Sequence, residues 1–227
     1  KGQVDDLIAE IAAVKREIPG VLKVIVESAR LSDDQLVVAC QAAEEAGVEI
    51  GVSRPLRFHP IFAALPEGRR VPLIVLRQEV DAATPAFWPP RCADAIDLCC
   101  ALAQSHSVRR IDAEAVPRQA AWPEAVAFAL RFHSGTYAQV SLYRRRRPGE
   151  DLLYVAGPGF QLEADLDGAA LHGHPAPEDV PPQPLSPIEQ ETQAFLAAVA
   201  AGTIPPVTAL DGLHTMRLVE RLMAQLR

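Results

Sequence analysis

Asp94 and Asp97 stand three residues apart in the mostly apolar stretch around Cys92 to Ala103. On a helix that spacing puts two carboxylates on adjoining faces, the arrangement of a polar pocket edge. Arg57 and His59 bring a guanidinium and an imidazole to the entrance of the segment that follows Pro55. Such groups bind the oxygens of a hydroxylated substrate, and the structural alternative is packing at a helix start and surface ion pairing. Lys23 lies within the apolar run Leu22 to Val26, and as a catalytic amine it requires burial to lower its pKa. The alternative for Lys23 is a strand-end ammonium reaching solvent. His172 and His174 alternate and share one face of a strand, without a carboxylate or thiol at a spacing that completes a metal site. Arg144 to Arg147 run into Pro148-Gly149-Glu150-Asp151, which reads as a solvated hairpin tip rather than a nucleic-acid groove.

The basic residues carry a sharper restriction. The 227-residue chain has 22 Lys and Arg against 29 Asp and Glu, a net charge of −7 that argues against a phosphate-backbone binder. Only Lys1, Lys15 and Lys23 are lysines, and none follows Lys23. Schiff-base or amine proton-shuttle chemistry is therefore confined to those three, because arginine stays protonated. The four cysteines form no C-x-x-C, and Cys99 and Cys100 are adjacent, so reduced, buried thiols and a cytoplasmic location are expected. No run of eighteen apolar residues reads as a membrane span. The chain starts at Lys1 rather than Met, which reads as a fragment or a processed or renumbered product.

These candidate groups must be positioned by an α/β (α+β) architecture with two parts. Residues 1–53 read as a short βα-type parallel unit. Its helix carries Val4, Leu7, Ile8, Ile11 and Val14 and is stopped by Pro19-Gly20, before a strand at Leu22 to Val26. A second helix is capped by Ser32 and ended by Gly47, before a strand at Val48 to Val52. Residues 54–227 read as an open, largely antiparallel sheet covered by helices. Strands are expected at Leu73 to Val80, Val108 to Val116, Ala125 to Phe132, Tyr137 to Tyr143, Leu152 to Val155 and Phe160 to Leu166. The last five of these read as a meander joined by short turns. Helices are expected around His59 to Leu65, from Cys92 to Ala103, and at Ile188 to Ala201 and Leu210 to Leu226, with a proline-rich connection from His174 to Pro187. Val126, Phe128 and Leu130 are expected on one face of the sheet, and Ala138, Val140 and Leu142 on the other.

From about Glu44 to the end the chain resembles the Gfo/Idh/MocA oxidoreductases, nicotinamide-dependent enzymes of sugars, inositols and related substrates. The resemblance rests on Ala42-Ala43-Glu44-Glu45-Ala46-Gly47-Val48 followed by Arg57-Phe58-His59-Pro60, and on Ile96-Asp97-Leu98. It rests further on the ending Glu191, Phe195, Ala198, Gly202, Pro205-Pro206-Val207-Thr208 and Asp211-Gly212-Leu213. It implies an NAD(P)-dependent sugar or polyol dehydrogenase whose sheet walls the substrate pocket and forms a homodimer face. It also places Asp94 where that family has its histidine base. A carboxylate of ordinary pKa, about 3.9, is a poor base for a hydroxyl. The family's Gly-rich cofactor turn and its lysine are missing: Gly157-Pro158-Gly159 is a hairpin turn, and Ser28-Ala29 follow Glu27 where Lys-Pro belong.

Residues 1–46 instead resemble deoxyribose-phosphate aldolase, through Leu22-Lys23-Val24-Ile25-Val26-Glu27, Leu31-Ser32-Asp33-Asp34 and Ala39-Cys40. That resemblance makes Lys23 a pocket lysine. The strand that would hold the Schiff-base lysine reads Gly51-Val52-Ser53-Arg54-Pro55 and has none.

The sequence therefore sets out an oxidoreductase-like substrate and dimerisation part, incomplete or inactive by itself. Asp94 and Lys23 are its catalytic candidates, and Arg57, His59 and Asp97 its substrate-binding candidates. No cofactor is expected on this chain alone, with NAD(P) bound if a nucleotide domain is supplied, and no metal, nucleic acid or membrane partner is expected. The alternatives are a non-catalytic dimerising assembly module and an aldolase-like lyase.

Overall fold

A computed structural model describes residues 2–17, 33–66, 68, 70–80, 88–117, 123–144, 151–166, 170–174 and 185–226. They belong to two compact units, Lys1–Ser53 with Thr192–Ala209, and Arg54–Glu191 with Leu210–Arg227. In the first unit, α1 (Gly2–Glu17) carries an acidic first turn and a basic last turn, each complementing the helix dipole. Helix α2 (Asp33–Glu45) ends at Gly47, whose φ of +66° is the left-handed geometry of a helix stop. The expected strand at Val48 to Val52 is reduced to one bridge, Gly51 to Thr208. The ring of Phe195 lies where a Cβ on Gly51 would stand, so that close approach requires glycine. The expected strand at Leu22 to Val26, with Lys23, lies outside the described residues.

The second unit opens with a 3₁₀ turn, Pro55–Phe58, in which Pro55 presets the first φ. A single helical turn, α3 (Ile61–Ala64), follows, and then β1 (Leu73–Val80). Helix α4 (Trp88–Ala103) begins four residues before its expected start, because Pro89 and Pro90 are tolerated in a first turn whose N–H groups have no intrahelical acceptor. The strands β2 (Val108–Val116), β3 (Ala125–Phe132), β4 (Tyr137–Arg144), β5 (Leu152–Gly157) and β6 (Phe160–Asp165) fall where alternation put them. A short β7 (Leu171–His174) adds an edge that alternation had not placed. Two helices close the chain. Helix α5 (Pro187–Ala201) is capped by Ser186, whose backbone N–H and hydroxyl both donate to Glu189, and α6 (Ala209–Leu226) follows.

Among the described residues one seven-stranded sheet runs β2-β3-β4-β1-β5-β6-β7. It is antiparallel except for β1 with β4. The expected meander is thus split, because β1 enters between β4 and β5 and becomes the central strand. Ile74 and Leu76 of β1, buried on one face, then sit between Val140 of β4 and Leu153 and Val155 of β5.

Register corrects the expected distribution of apolar residues. Val126 pairs with Leu142, Phe128 with Val140, and Leu130 with Ala138, and directly paired residues share a face. All six line the helix-covered face and are at most 3 % exposed. Helix α4 packs on β1 and β4, its Ala93, Ala95, Cys99 and Cys100 small enough for close approach to the sheet. Leu218, Val219 and Leu222 of α6 complete the same core. The opposite face of the sheet carries Leu73, Val75, Ala127, Tyr137, Tyr143 and Tyr154, mostly half-buried. There Arg131 stacks 5.0 Å over the Tyr137 ring and Arg77 5.5 Å over Tyr143.

Candidate active site

Helix α4 is mostly apolar and buried, so its two aspartates stand out, with Arg91, as its polar groups. Asp97 is 1 % exposed and is held from two elements. Arg57, at the end of the 3₁₀ turn, donates through Nε to Oδ2 and through Nη2 to Oδ1, both at 2.8 Å. Thr215 of α6 adds a hydroxyl bond to Oδ1 at 3.2 Å. Burying one carboxylate costs several kcal/mol, and a fork-shaped guanidinium with further hydrogen bonds is the geometry that offsets it. Burial opposes the charge on Arg57, yet its bonds to Asp97 and the nearby Asp211 hold its pKa above the ordinary value.

Arg54 stands one 3₁₀ turn before Arg57, where side chains at i and i+3 eclipse. Its Nη1 donates to Oδ1 of Asp94 at 3.3 Å, and its Nε lies 3.7 Å from Asp97. The backbone N–H of Arg54 donates to the buried carboxylate of Glu191, which fixes the start of the turn. Arg91 approaches the other oxygen of Asp94 at 3.6 Å from the preceding turn of α4. Asp94 therefore lies between two guanidiniums with its side chain about one-third exposed. Burial nonetheless raises its pKa above the ordinary carboxylate value, the two arginines only partly opposing this. Asp94 is thereby a stronger base than a carboxylate of ordinary pKa.

Asp94, Asp97, Arg54 and Arg91 form the polar side of a cavity of about 370 Å³. Gln78 and Asp151 add to it: Gln78 Nε2 donates to Asp151 Oδ2 at 3.2 Å, while the backbone N–H of Glu79 donates to Oδ1 at 2.7 Å. Pro55, Leu56, Val80 and Leu166 supply apolar lining. The structure thus brings together Asp94, Asp97 and Arg57, with Arg57 behind the cavity wall. His59 does not join them. It is 3 % exposed, and its Nδ1 accepts the backbone N–H of Ile61 at 3.2 Å, anchoring the first turn of α3. Lys23 lies outside the described residues.

Arg54, Gln78, Asp151 and Thr215 were not singled out from the sequence. Only Arg54 had a local signal, its position three before Arg57 on a proline-initiated turn. Gln78 and Asp151 are 73 residues apart and meet only through the pairing of β1 with β5. The cysteines of α4 are unsuited to nucleophilic work. Burial pushes Cys92 and Cys100 up to about 12, with the carboxylates of Asp94 and Asp97 adding to it, and raises Cys99 well above its ordinary value. Among the described residues no group of three or more His, Cys, Asp or Glu side chains is arranged to hold a metal ion, and no helix is long and apolar enough to cross a membrane.

No protein-family model matches the chain. Part of it is 48 % identical over 62 residues to the deoxyribose-phosphate aldolase of Corynebacterium diphtheriae, covering 26 % of this chain and 28 % of that enzyme. The aldolase of Kocuria rhizophila is 47 % identical over 72 residues, 31 % of this chain and 33 % of that enzyme. The chain thus spans about a third or less of the curated relatives it matches. Solved structures share the fold far more widely. UDP-N-acetylglucosamine 3-dehydrogenase from Acidithiobacillus ferrooxidans superposes with a TM-score of 0.71 at 14 % identity, over 87 % of this chain and 69 % of that one. An aldose-aldose oxidoreductase from Caulobacter crescentus, solved with glycerol, gives 0.66 at 20 % identity, over 86 % and 66 %. An oxidoreductase from Agrobacterium radiobacter, solved with NAD+, L-tartaric acid and magnesium, gives 0.66 at 16 % identity, over 98 % and 75 %. These neighbours are Gfo/Idh/MocA-type oxidoreductases, and the fold described above is theirs.

NAD(P) is the cofactor those neighbours imply, and the described residues do not fit it. The one G-x-G of the sequence, Gly157-Pro158-Gly159, turns β5 into β6 with no helix behind it. A Cβ on Gly157 would strike the Phe160 ring and crowd the Arg70 carbonyl, so glycine there serves packing of the hairpin.

A second cluster adjoins the Arg57–Asp97 pair. Asp211 of α6 lies 3.7 Å from Arg57 Nη2 and 3.8 Å from His106 Nε2, and the rings of His106 and His214 are 5.2 Å apart. Burial holds the pKa of His106 down, Asp211 and Asp97 opposing, Arg57 and His214 assisting. The unfolded chain therefore binds more protons at this position below the ordinary histidine pKa of about 6.5. The stability due to neutral His106 is full above that value and is lost as pH falls through the depressed folded value. Thermal unfolding across this range is expected to show His106→Asn losing less Tm than the wild type on acidification. Parallel Tm curves for the two proteins would contradict the assignment.

Proposed function

We propose that the chain is the substrate-binding and self-associating sheet part of an NAD(P)-dependent sugar or polyol oxidoreductase, with no hydride transfer of its own. The observation that supports this most directly is the Asp94-walled cavity, carried on a fold shared with sugar oxidoreductases. Asp94 is the candidate proton acceptor for a substrate hydroxyl, being partly exposed to the cavity and raised in pKa by burial. Arg54 and Arg91 hold its two oxygens. The buried pair of Asp97 with Arg57 positions α4, and with it Asp94, without needing to touch the ligand. His59 serves the start of α3. The aldolase-like identity favours a lyase only through Lys23, and no lysine follows that position, so the function is placed with the cavity.

Two measurements test the reading. Calorimetry with a panel of neutral sugars and cyclitols is expected to detect binding that Asp94→Ala weakens by about tenfold, roughly 1.4 kcal/mol. The same mixtures with NAD+ are expected to form no NADH. Unchanged binding in the variant contradicts the site, and NADH formation by this chain alone contradicts the absence of hydride transfer.

Self-association is assigned to the open face of the sheet. Leu73, Val75, Ala127 and Tyr154 there are half-buried, and the two Arg–Tyr stacks give that face cations already paired with aromatic rings. Light scattering is expected to report a homodimer at micromolar concentration and a monomer for Ala127→Arg of unchanged Tm. A monomeric wild type would contradict it.

A further inference from the structure

Among the described residues β2 is the longest strand of the sheet, nine residues against eight or fewer, and it stands at one end of the strand order. An edge strand directs half of its backbone N–H and C=O groups away from its one neighbour, where another chain can pair with them. The opposite edge, β7, limits that exposure by being only four residues long. Lysine is a common guard of edge strands, and this chain has none after Lys23. The long β2 edge therefore needs another form of cover.

Helix α6 brings two side chains one turn apart to that edge, Arg221 and Gln225. Leu218 and Leu222 of the same helix are buried in the core and fix the helix that aims them. Gln225 Oε1 accepts the backbone N–H of Ala113 at 3.1 Å, and its Nε2 donates to the Ile111 carbonyl at 2.8 Å. Arg221 Nη1 donates to the Val108 carbonyl at 3.2 Å, beside the register shift between Val108 and Arg110. Backbone groups of successive residues alternate sides of a strand, so Ile111 and Ala113 direct theirs away from β3, and Asp112 and Glu114 direct theirs toward it. In a parallel pair one residue of the neighbouring strand donates to residue i−1 and accepts from residue i+1. The carboxamide of Gln225 makes that same pair of bonds about Asp112. A carboxylate only accepts and an ammonium only donates, whereas an amide does both.

We propose that Gln225 is a surrogate strand residue that closes the β2 edge, and that without it the edge pairs with β2 of a second copy of this chain. Antiparallel pairing about Ile111 sets Arg110 opposite Asp112 of the second copy, and the two-fold symmetry of the pair repeats that contact. The charges on the strand thus favour a like partner, and the carboxamide holds the backbone groups that such a partner needs.

Amide exchange and light scattering on the full chain test this, with Gln225→Ala, an exposed position near the end of α6, as the variant. In dilute solution the Ala113 amide is expected to exchange at least about tenfold faster in the variant than in the wild type. The Asp112 and Glu114 amides, directed toward β3, are expected to hold their rates. Light scattering is performed in the Ala127→Arg background, which sets aside association through the open face of the sheet. There Gln225→Ala is expected to associate at least about tenfold more tightly than Ala127→Arg alone. An Ala113 amide unaffected by the substitution overturns the surrogate-strand geometry. Faster exchange at Ala113 without added association overturns the closing of the edge against a second copy.

Discussion

The bidentate bond between Arg57 and Asp97 is the constraint on which the second unit depends. Asp97 is a carboxylate almost wholly buried in the middle of a mostly apolar helix. An unpartnered carboxylate there would cost more than the helix gains from packing, so α4 can settle on the sheet only with Arg57 delivered to it. That requirement fixes the 3₁₀ turn against α4, draws Thr215 and Asp211 of α6 to the same point, and leaves Arg54 and Asp94 facing each other one turn away. The cavity is the space that remains between this polar knot and the ends of β1 and β5. A structural ion pair and a candidate binding site thus share one network, the pair setting the geometry and Asp94 facing the cavity.

Much of the second unit was legible in the sequence because its strands bury one face and its helices bury a stripe. Alternation placed β2 to β6 within a residue or two, and helical spacing placed α5 and α6. The order of the strands was not legible. Nothing local distinguishes a central strand from an edge, and β1 is inserted between β4 and β5 by packing on α4 rather than by any turn. The same limit misassigned Val126, Phe128 and Leu130 to the face opposite Ala138, Val140 and Leu142. Alternation fixes faces within a strand, and only register decides which faces of two strands coincide. In the first unit, Val48 to Val52 has the composition of a strand but, among the described residues, meets no ladder beyond the Gly51–Thr208 bridge.

Of the candidate site, the residue types were readable and their roles were less so. Asp94 and Asp97 were singled out by a three-residue spacing in an apolar helix, and both belong to the network. Spacing could not tell which of the two is neutralised, because the answer lies in a turn forty residues upstream and in a helix more than a hundred residues downstream. His59 looked like a ligand for substrate oxygens by its position beside Arg57, but its ring turns inward to accept a backbone N–H. Asp94 read as a carboxylate of ordinary acidity, and only its burial in the fold raises its pKa above that value.

A double-mutant cycle across the buried pair tests the central claim most directly. Thermal unfolding of Arg57→Met and Asp97→Leu, singly and together, separates a constraint on the fold from an incidental surface contact. Each single change is predicted to cost about 3–5 kcal/mol, since it strands a buried charge, and the double variant to cost clearly less than their sum. Additive losses, or single variants as stable as the wild type, would show that the pair does not hold α4 in place.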